Sequence, residues 1–166
     1  VFVADVGKAS SHDNSRGQSL VELICAQTDR TFVTLSIILV NYNTRELLRA
    51  CLYSIVQQTQ ALDYEVIAVD NASTDGSREM LRSEFPQVQI ISNENNRGFA
   101  AANNQGIRLA AGEYILLLNS DTLIRDQAIQ KTLGYMAEHP EASIVGCKLL
   151  NADGSLQPSC RSFPTL

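Results

Sequence analysis

A mostly parallel β-sheet held between two layers of helices, the three-layer α/β/α sandwich, is the fold class this sequence predicts. Strand-length apolar runs alternate with stretches whose apolar residues recur at helical spacing, the order that builds βαβ units and a parallel sheet. The runs Leu35-Ser36-Ile37-Ile38-Leu39-Val40 and Tyr114-Ile115-Leu116-Leu117-Leu118 are near-continuous rather than alternating, as in strands covered on both faces. The length, 166 residues, suits one domain with a sizeable core and argues against two.

Residues 1–33 carry no sustained period, and 7–17 are rich in Ser, Lys, Asp and Asn. They are expected to form a weakly ordered leader with at most a short helix near 20–25, so that the folded domain covers 34–166. The first strand, from Leu35, runs into Asn41-Tyr42-Asn43-Thr44, a loop and helix cap. Leu47, Leu48, Cys51, Leu52, Ile55 and Val56 then mark one face of an amphipathic helix. Tyr64-Glu65-Val66-Ile67-Ala68-Val69-Asp70 reads as the second strand, and 75–85 as a helix closed by Pro86. A short strand is expected over 88–92 and an Ala-rich helix over 98–111, ended by Gly112. The strand into Asn119 follows, then a helix over 126–139 with Ile129, Leu133 and Met136 on one face, stopped by Pro140. A strand over 142–149 and a hairpin turn at Asn151-Ala152-Asp153-Gly154 close the series.

Composition narrows the function. A net charge of −5 argues against a general nucleic-acid binder, so an anionic ligand would need local cations or a metal. The four cysteines include no C-x-x-C pair, which points to reduced thiols rather than zinc or a disulfide framework. No stretch approaches the roughly 18 apolar residues of a membrane span, and the start lacks a basic segment followed by an apolar core. A cytoplasmic protein is expected, with peripheral contact at the inner face of the membrane still compatible. The apolar-polar end Arg161-Ser162-Phe163-Pro164-Thr165-Leu166 reads as a break within a longer chain.

Three segments carry candidate chemistry. Asp70 ends the second strand, where a carboxylate can accept from the N–H that uracil and thymine present; Asp70 and Asn71 can equally shape a turn, with Ser73 or, preferably, Asp75 capping the next helix. Arg97 and Gly98 open a helix after an Asn-rich loop, so free amides and a guanidinium could face a phosphate, or the loop is simply solvated. Asn104, inside that helix, is expected to bond a neighbouring loop. Asn119-Ser120-Asp121 leaves the sheet at the edge where open α/β sheets bind ligands. One carboxylate there can hold Mg²⁺ or Mn²⁺ if substrate phosphates and waters complete the shell. There is no G-x-G-x-x-G and no G-x-x-x-x-G-K-[ST], which counts against a dinucleotide-binding dehydrogenase and a P-loop kinase. A phospho-receiver would need an acidic pair where Asn41 and Tyr42 stand.

Taken together, Ser36-Ile37-Ile38-Leu39-Val40-Asn41-Tyr42-Asn43, Val69-Asp70-Asn71-Ala72-Ser73-Thr74-Asp75-Gly76-Ser77, Asn96-Arg97-Gly98-Phe99 and Leu118-Asn119-Ser120-Asp121 closely resemble the family 2 glycosyltransferases of the GT-A fold. The resemblance covers the chain from Leu35 onward, and the segment from Gly146 to Gln157 is similar to a rhamnosyltransferase-type branch. It implies transfer of a sugar, with inversion, from a dTDP- or UDP-linked donor to a glycan or lipid-linked acceptor. It further implies that Asn41 lines the nucleotide pocket, Asp70 reads the base, and Arg97 and Gly98 lie beside the nucleotide. Asn119 and Asp121 match the ends of the family's D-x-D motif, with Asp121 the ligand of Mn²⁺ or Mg²⁺ and Asn119 an amide in place of the first carboxylate. The family's general base comes from well beyond that motif, and the later acids Asp126, Glu138, Glu141 and Asp153 do not suggest one, so it is expected beyond Leu166. A nucleotide-sugar-binding module without catalysis is the alternative. A nucleotidyltransferase is disfavoured because Asn41-Tyr42-Asn43-Thr44 makes a poor basic, Gly-rich loop.

Overall fold

The computed structural model of the protein describes residues 2–5 and 33–158. Six strands form one sheet: β1 (Phe2–Asp5), β2 (Leu35–Asn41), β3 (Tyr64–Asp70), β4 (Gln89–Ser92), β5 (Tyr114–Asn119) and β6 (Ile144–Val145). Among the described residues four helices follow the strands: α1 (Arg45–Gln58), α2 (Ser77–Glu84), α3 (Phe99–Leu109) and α4 (Ala128–Glu138). The sheet order is β4-β3-β2-β5-β1-β6, with β2 to β5 parallel and β1 antiparallel to both β5 and β6.

Each parallel strand is followed by a helix, and the apolar residues divide between two faces. Leu35, Ile37 and Leu39 of β2 join Val66, Ala68, Leu116 and Leu118 in a core against Leu48, Cys51, Leu52 and Ile55 of α1, Met80 and Leu81 of α2, and Ile129, Leu133 and Met136 of α4. The alternate residue Ile38 faces α3, where a Cβ at Gly106 would come within 2.6 Å of its side chain. That glycine lets α3 lie close on the sheet, completing the third layer. Leu35, Ile37, Ile38, Leu39 and Ile67 are fully buried, which is why their runs carry no polar alternation.

Several boundaries differ from the sequence expectation for a backbone reason. Gly76, Asp126 and Gln127 have φ of 83°, 50° and 53°, so α2 and α4 begin only after them. Gly98, at φ 80° and ψ 161°, likewise keeps itself out of α3. Within 1–33, where a weakly ordered leader was expected, Phe2–Asp5 instead join the sheet, pairing Phe2 with Leu117 and Asp5 with Tyr114. Strand β1 satisfies the exposed ladder of β5, a partnership four residues cannot advertise locally. The expected helix near 20–25 lies outside the described residues. The strand expected over 142–149 contracts to Ile144–Val145, the length that β1 pairs. The turn at 151–154 forms as expected, with Leu150 and Leu156 bridged and the Gly154 amide donating to the Asn151 carbonyl.

Candidate functional site

Parallel register brings the C-terminal ends of β2 to β5 to one edge: Asn41 pairs with Asp70, Asp70 with Ser92, and Val40 with Asn119. The chain steps from β2 through β3 to β4 in one direction and then places β5 on the other side of β2. The reversal opens between the ends of β2 and β5, the position at which open α/β sheets bind ligands.

Behind that edge runs a continuous hydrogen-bond chain. Ser120 and Thr44 share a hydroxyl–hydroxyl bond of 3.0 Å across the β2/β5 reversal, and Thr44 Oγ1 donates to Asn41 Oδ1 at 2.7 Å. Asn41 Nδ2 donates to Asp70 Oδ1 at 3.0 Å and to Ser73 Oγ at 2.9 Å. Asp70 Oδ2 accepts from the Ser73 amide and from Arg78 Nε, and Arg78 Nη2 continues to the Asn93 carbonyl. Burial pushes the Asp70 carboxyl up, but the bonds from Ser73, Arg78 and Asn41 outweigh it and hold Asp70 below the usual carboxylate range. Asn41 and Asp70 are both 0% exposed, so their side chains form the wall behind the rim rather than the rim itself. The roles that Thr44, Ser73, Arg78 and Ser120 take in this chain escaped the sequence reading, because the bonds from Asn41 to Asp70 and Ser73 and between Thr44 and Ser120 join residues distant in sequence.

Asp75 performs the capping expected of it, for two helices at once. Its Oδ1 accepts from the Ser77 amide and hydroxyl at the start of α2, and its Oδ2 accepts from the Arg45 amide at the start of α1. Thr44 precedes α1 but leaves this work to Asp75, its own hydroxyl being engaged in the chain above.

A second, amide-rich network shapes the loop before α3. Asn71 Oδ1 accepts from the Arg97 amide at 2.9 Å and from Asn93 Nδ2, while Asn71 Nδ2 donates to Asn96 Oδ1, which also accepts from the Gly98 amide. The Arg97 and Gly98 amides are therefore occupied, which corrects the expectation that they are free for a phosphate. Side-chain carbonyls close by take them first. The Arg97 side chain itself is exposed, with no hydrogen bond or ion pair among the described residues. A Cβ at Gly98 would meet nothing within 4 Å, so its backbone angles rather than crowding require glycine. Gln105, not Asn104, ties α3 to a neighbouring loop, through a reciprocal amide pair with Asn93 at 2.8 and 2.9 Å; Asn104 is exposed.

Asn119, the last residue of β5, and Asp121, in the turn that follows it, are exposed, while Ser120 between them is buried. No hydrogen bond or ion pair engages the Asp121 carboxylate among the described residues. Its charge is still felt below: burial, then the charge of Asp121, pushes the Cys51 thiol up to about 12, so Cys51 is neutral. One exposed carboxylate beside an amide fits a hard divalent cation that brings a diphosphate with it. It does not fit an all-protein cage, and among the described residues no group of three or more His, Cys, Asp and Glu could hold a metal. Asp121 also borders a cleft of about 710 Å³ between β5, α4 and residues 147–158. Of the later acids, Glu141 pairs with His139 and Asp153 bonds Ser155 within its turn.

A sheet reversed at β2/β5, with a strand-end carboxylate over the reversal, defines a GT-A-type α/β domain, the fold of nucleotide-sugar transferases. The sequence model of glycosyl transferase family 2 matches residues 36–158, and the chain belongs to that family. It is 35% identical over 125 residues to a poly(ribitol-phosphate) beta-glucosyltransferase of Bacillus spizizenii, covering 72% of this chain and 20% of that protein. Among solved structures it resembles S. aureus TarS in complex with UDP-GlcNAc, with a TM-score of 0.59 and 23% identity over 65% of this chain and 32% of that one. It also resembles a mannosyltransferase of Pyrobaculum calidifontis in complex with GDP-mannose and Mn²⁺, with a TM-score of 0.58 and 28% identity over 64% of this chain and 33% of that one. The chain thus spans a minor part of the length of each of these proteins.

Proposed function

We propose that this chain supplies the donor-binding edge of an inverting glycosyltransferase, which moves a sugar from a dTDP- or UDP-linked donor to the hydroxyl of a glycan or lipid-linked acceptor. The observation that carries the reading is Asp121, an exposed carboxylate free of internal bonds, held by a buried strand at the β2/β5 reversal. Asp121 would hold Mn²⁺ or Mg²⁺, whose chemistry when bound is to stabilise negative charge on the departing diphosphate. Asn119 would offer its amide to ribose or sugar hydroxyls, and the exposed Arg97 guanidinium would meet phosphate. Asn41 and Asp70 support the pocket from behind, and Asp70 would meet a pyrimidine N–H only by yielding part of its internal bonding. The mannosyltransferase, solved with GDP-mannose and Mn²⁺, supports a nucleoside-diphosphate sugar as donor and the cation, though not the pyrimidine base, and the named activity of the glucosyltransferase relative supports a hexosyl group; rhamnose is a donor to be compared. Among the described residues Cys51 and Cys147 are free thiols, which supports a reducing compartment, and no helix is long and apolar enough to cross a membrane.

The experiment is a melting curve with UDP, dTDP or GDP, each with and without Mn²⁺. UDP or dTDP with Mn²⁺ is expected to raise the melting temperature, by about 2.7 kcal/mol of stability at a hundredfold excess over Kd. Asp121→Ala is expected to remove the metal-dependent part; absence of a shift with every nucleotide would overturn the reading. The single carboxylate also favours a second reading, donor binding without catalysis. Donor hydrolysis or transfer by the longer polypeptide separates the two.

A further inference from the structure

The cleft beside Asp121 collects positive charge that nothing in the fold uses. Arg125 lies between β5 and α4, Lys131 on α4 and Lys148 beyond β6, and all three line this one space. All three are exposed, and among the described residues none of their side chains has a hydrogen bond or ion pair. Elsewhere Arg45, Arg49 and Arg78 pair with Glu46, Glu84 and Asp70, while Arg82, Arg97 and Arg108, exposed and unpaired among the described residues, do not line this cleft. The acids on the same cleft are Asp121, assigned above to a cation, and Asp126. In a chain of net charge −5, three unpaired cations converging from three segments mark a local site for negative charge.

We propose that this cleft is the acceptor subsite and that its ligand is an anionic glycan, one bearing phosphodiester or carboxylate groups along its chain. The proposal rests on the transferase reading above and names the acceptor class for it. The cleft reaches from Asn119 and Asp121 outward along α4, so a chain lying in it brings a hydroxyl up to the donor sugar while its oxyanions meet Arg125, Lys131 and Lys148. The volume, about 710 Å³, accommodates a few saccharide or polyol units. Asn151 and Gln157 on the opposite wall supply neutral hydrogen-bonding groups for hydroxyls. A second anion close to the donor diphosphate is repelled unless fixed cations screen it, and these three are placed to do so.

Binding of fluorescently labelled oligomers to the protein in the presence of UDP and Mn²⁺ tests this. The probes are a glycerol-phosphate oligomer, an oligogalacturonate and a neutral maltooligosaccharide of equal length. The anionic oligomers are expected to bind on the order of tenfold more tightly than the neutral one at low salt, the gap closing as salt rises. Comparing the two anionic probes tells phosphodiester from carboxylate. The triple variant R125Q/K131Q/K148Q is expected to lose the preference, while the distant surface change R82Q on α2 keeps it. Equal affinity for charged and neutral oligomers, no binding of any oligomer, or a preference that survives the triple variant would overturn the proposal. So would loss of the preference in R82Q, which would reveal diffuse attraction. If the triple variant loses the UDP–Mn²⁺ melting shift, the cations serve the donor and the acceptor assignment fails. Absence of that shift in the unmodified protein is instead a failure of the transferase reading.

Discussion

Asp121 and Asp70 are both strand-end carboxylates, and burial assigns them opposite work. The Asp121 carboxylate has no hydrogen-bond partner among the described residues, whereas Asp70 accepts from Asn41, Ser73 and Arg78. Asp70→Asn removes the charge but little of the shape, and is expected to cost roughly 1–3 kcal/mol, read as a lowered urea midpoint. The cost depends on pH with a definite sign. Because folding depresses the Asp70 carboxyl, its contribution is complete above the unfolded value of about 3.9 and is lost as pH falls through the folded value. The gap in stability between the unmodified protein and Asp70→Asn should therefore narrow below about pH 4, and a gap that widens on acidification would contradict this account. Both carboxylates stood out in the sequence because each ends an apolar run, but exposure, the property separating them, depends on Arg78 arriving from α2. No pattern around Asp70 specifies that arrival.

Glycines at element ends show how the secondary structure sets the site. Gly98 holds φ 80° and ψ 161° with open space around it, while Gly112 has ordinary angles but would place a Cβ 2.5 Å from the Ser36 backbone nitrogen. Gly98→Ala is expected to cost about 1–3 kcal/mol through strain and to disturb the loop that carries Arg97, weakening nucleotide binding. Gly112→Ala is expected to cost at least as much through overpacking against backbone, without a direct effect on nucleotide affinity once folded. Urea midpoints and UDP titrations on both variants separate the mechanisms. The long strands β2, β3 and β5 were legible because burial on both faces leaves an uninterrupted apolar run. Starts of α2 and α4 were not, since Asp75 or Asp126 reads as a first helical residue until the left-handed Gly76 and Gln127 are seen. Strand β1 was hidden because Phe2–Asp5 owes its structure to β5, over a hundred residues away in sequence.

At the scale of the molecule, β2, β3, β4 and β5 bring four separated sequence motifs to one edge, and two networks join them. One runs from Ser120 through Thr44, Asn41 and Asp70 to Arg78; the other links Asn71, Asn93, Asn96 and Gln105 under the Arg97 loop. The motifs announced the family, but their connection is carried by Thr44, Ser73, Arg78 and Gln105, whose roles exist only after folding. The edge leaves Asp121, Asn119 and Arg97 outward, next to a cleft whose cations suit an anionic acceptor. The central claim is that Asp121 holds the cation of a nucleoside diphosphate at the end of β5. Nuclear magnetic resonance of the ¹⁵N-labelled protein with UDP and substoichiometric Mn²⁺ tests it most directly, because the ion broadens amides near it. The account predicts UDP-dependent broadening centred on Asn119 to Thr122, lost in Asp121→Ala. Broadening centred elsewhere, or unchanged by removing Asp121, would contradict it.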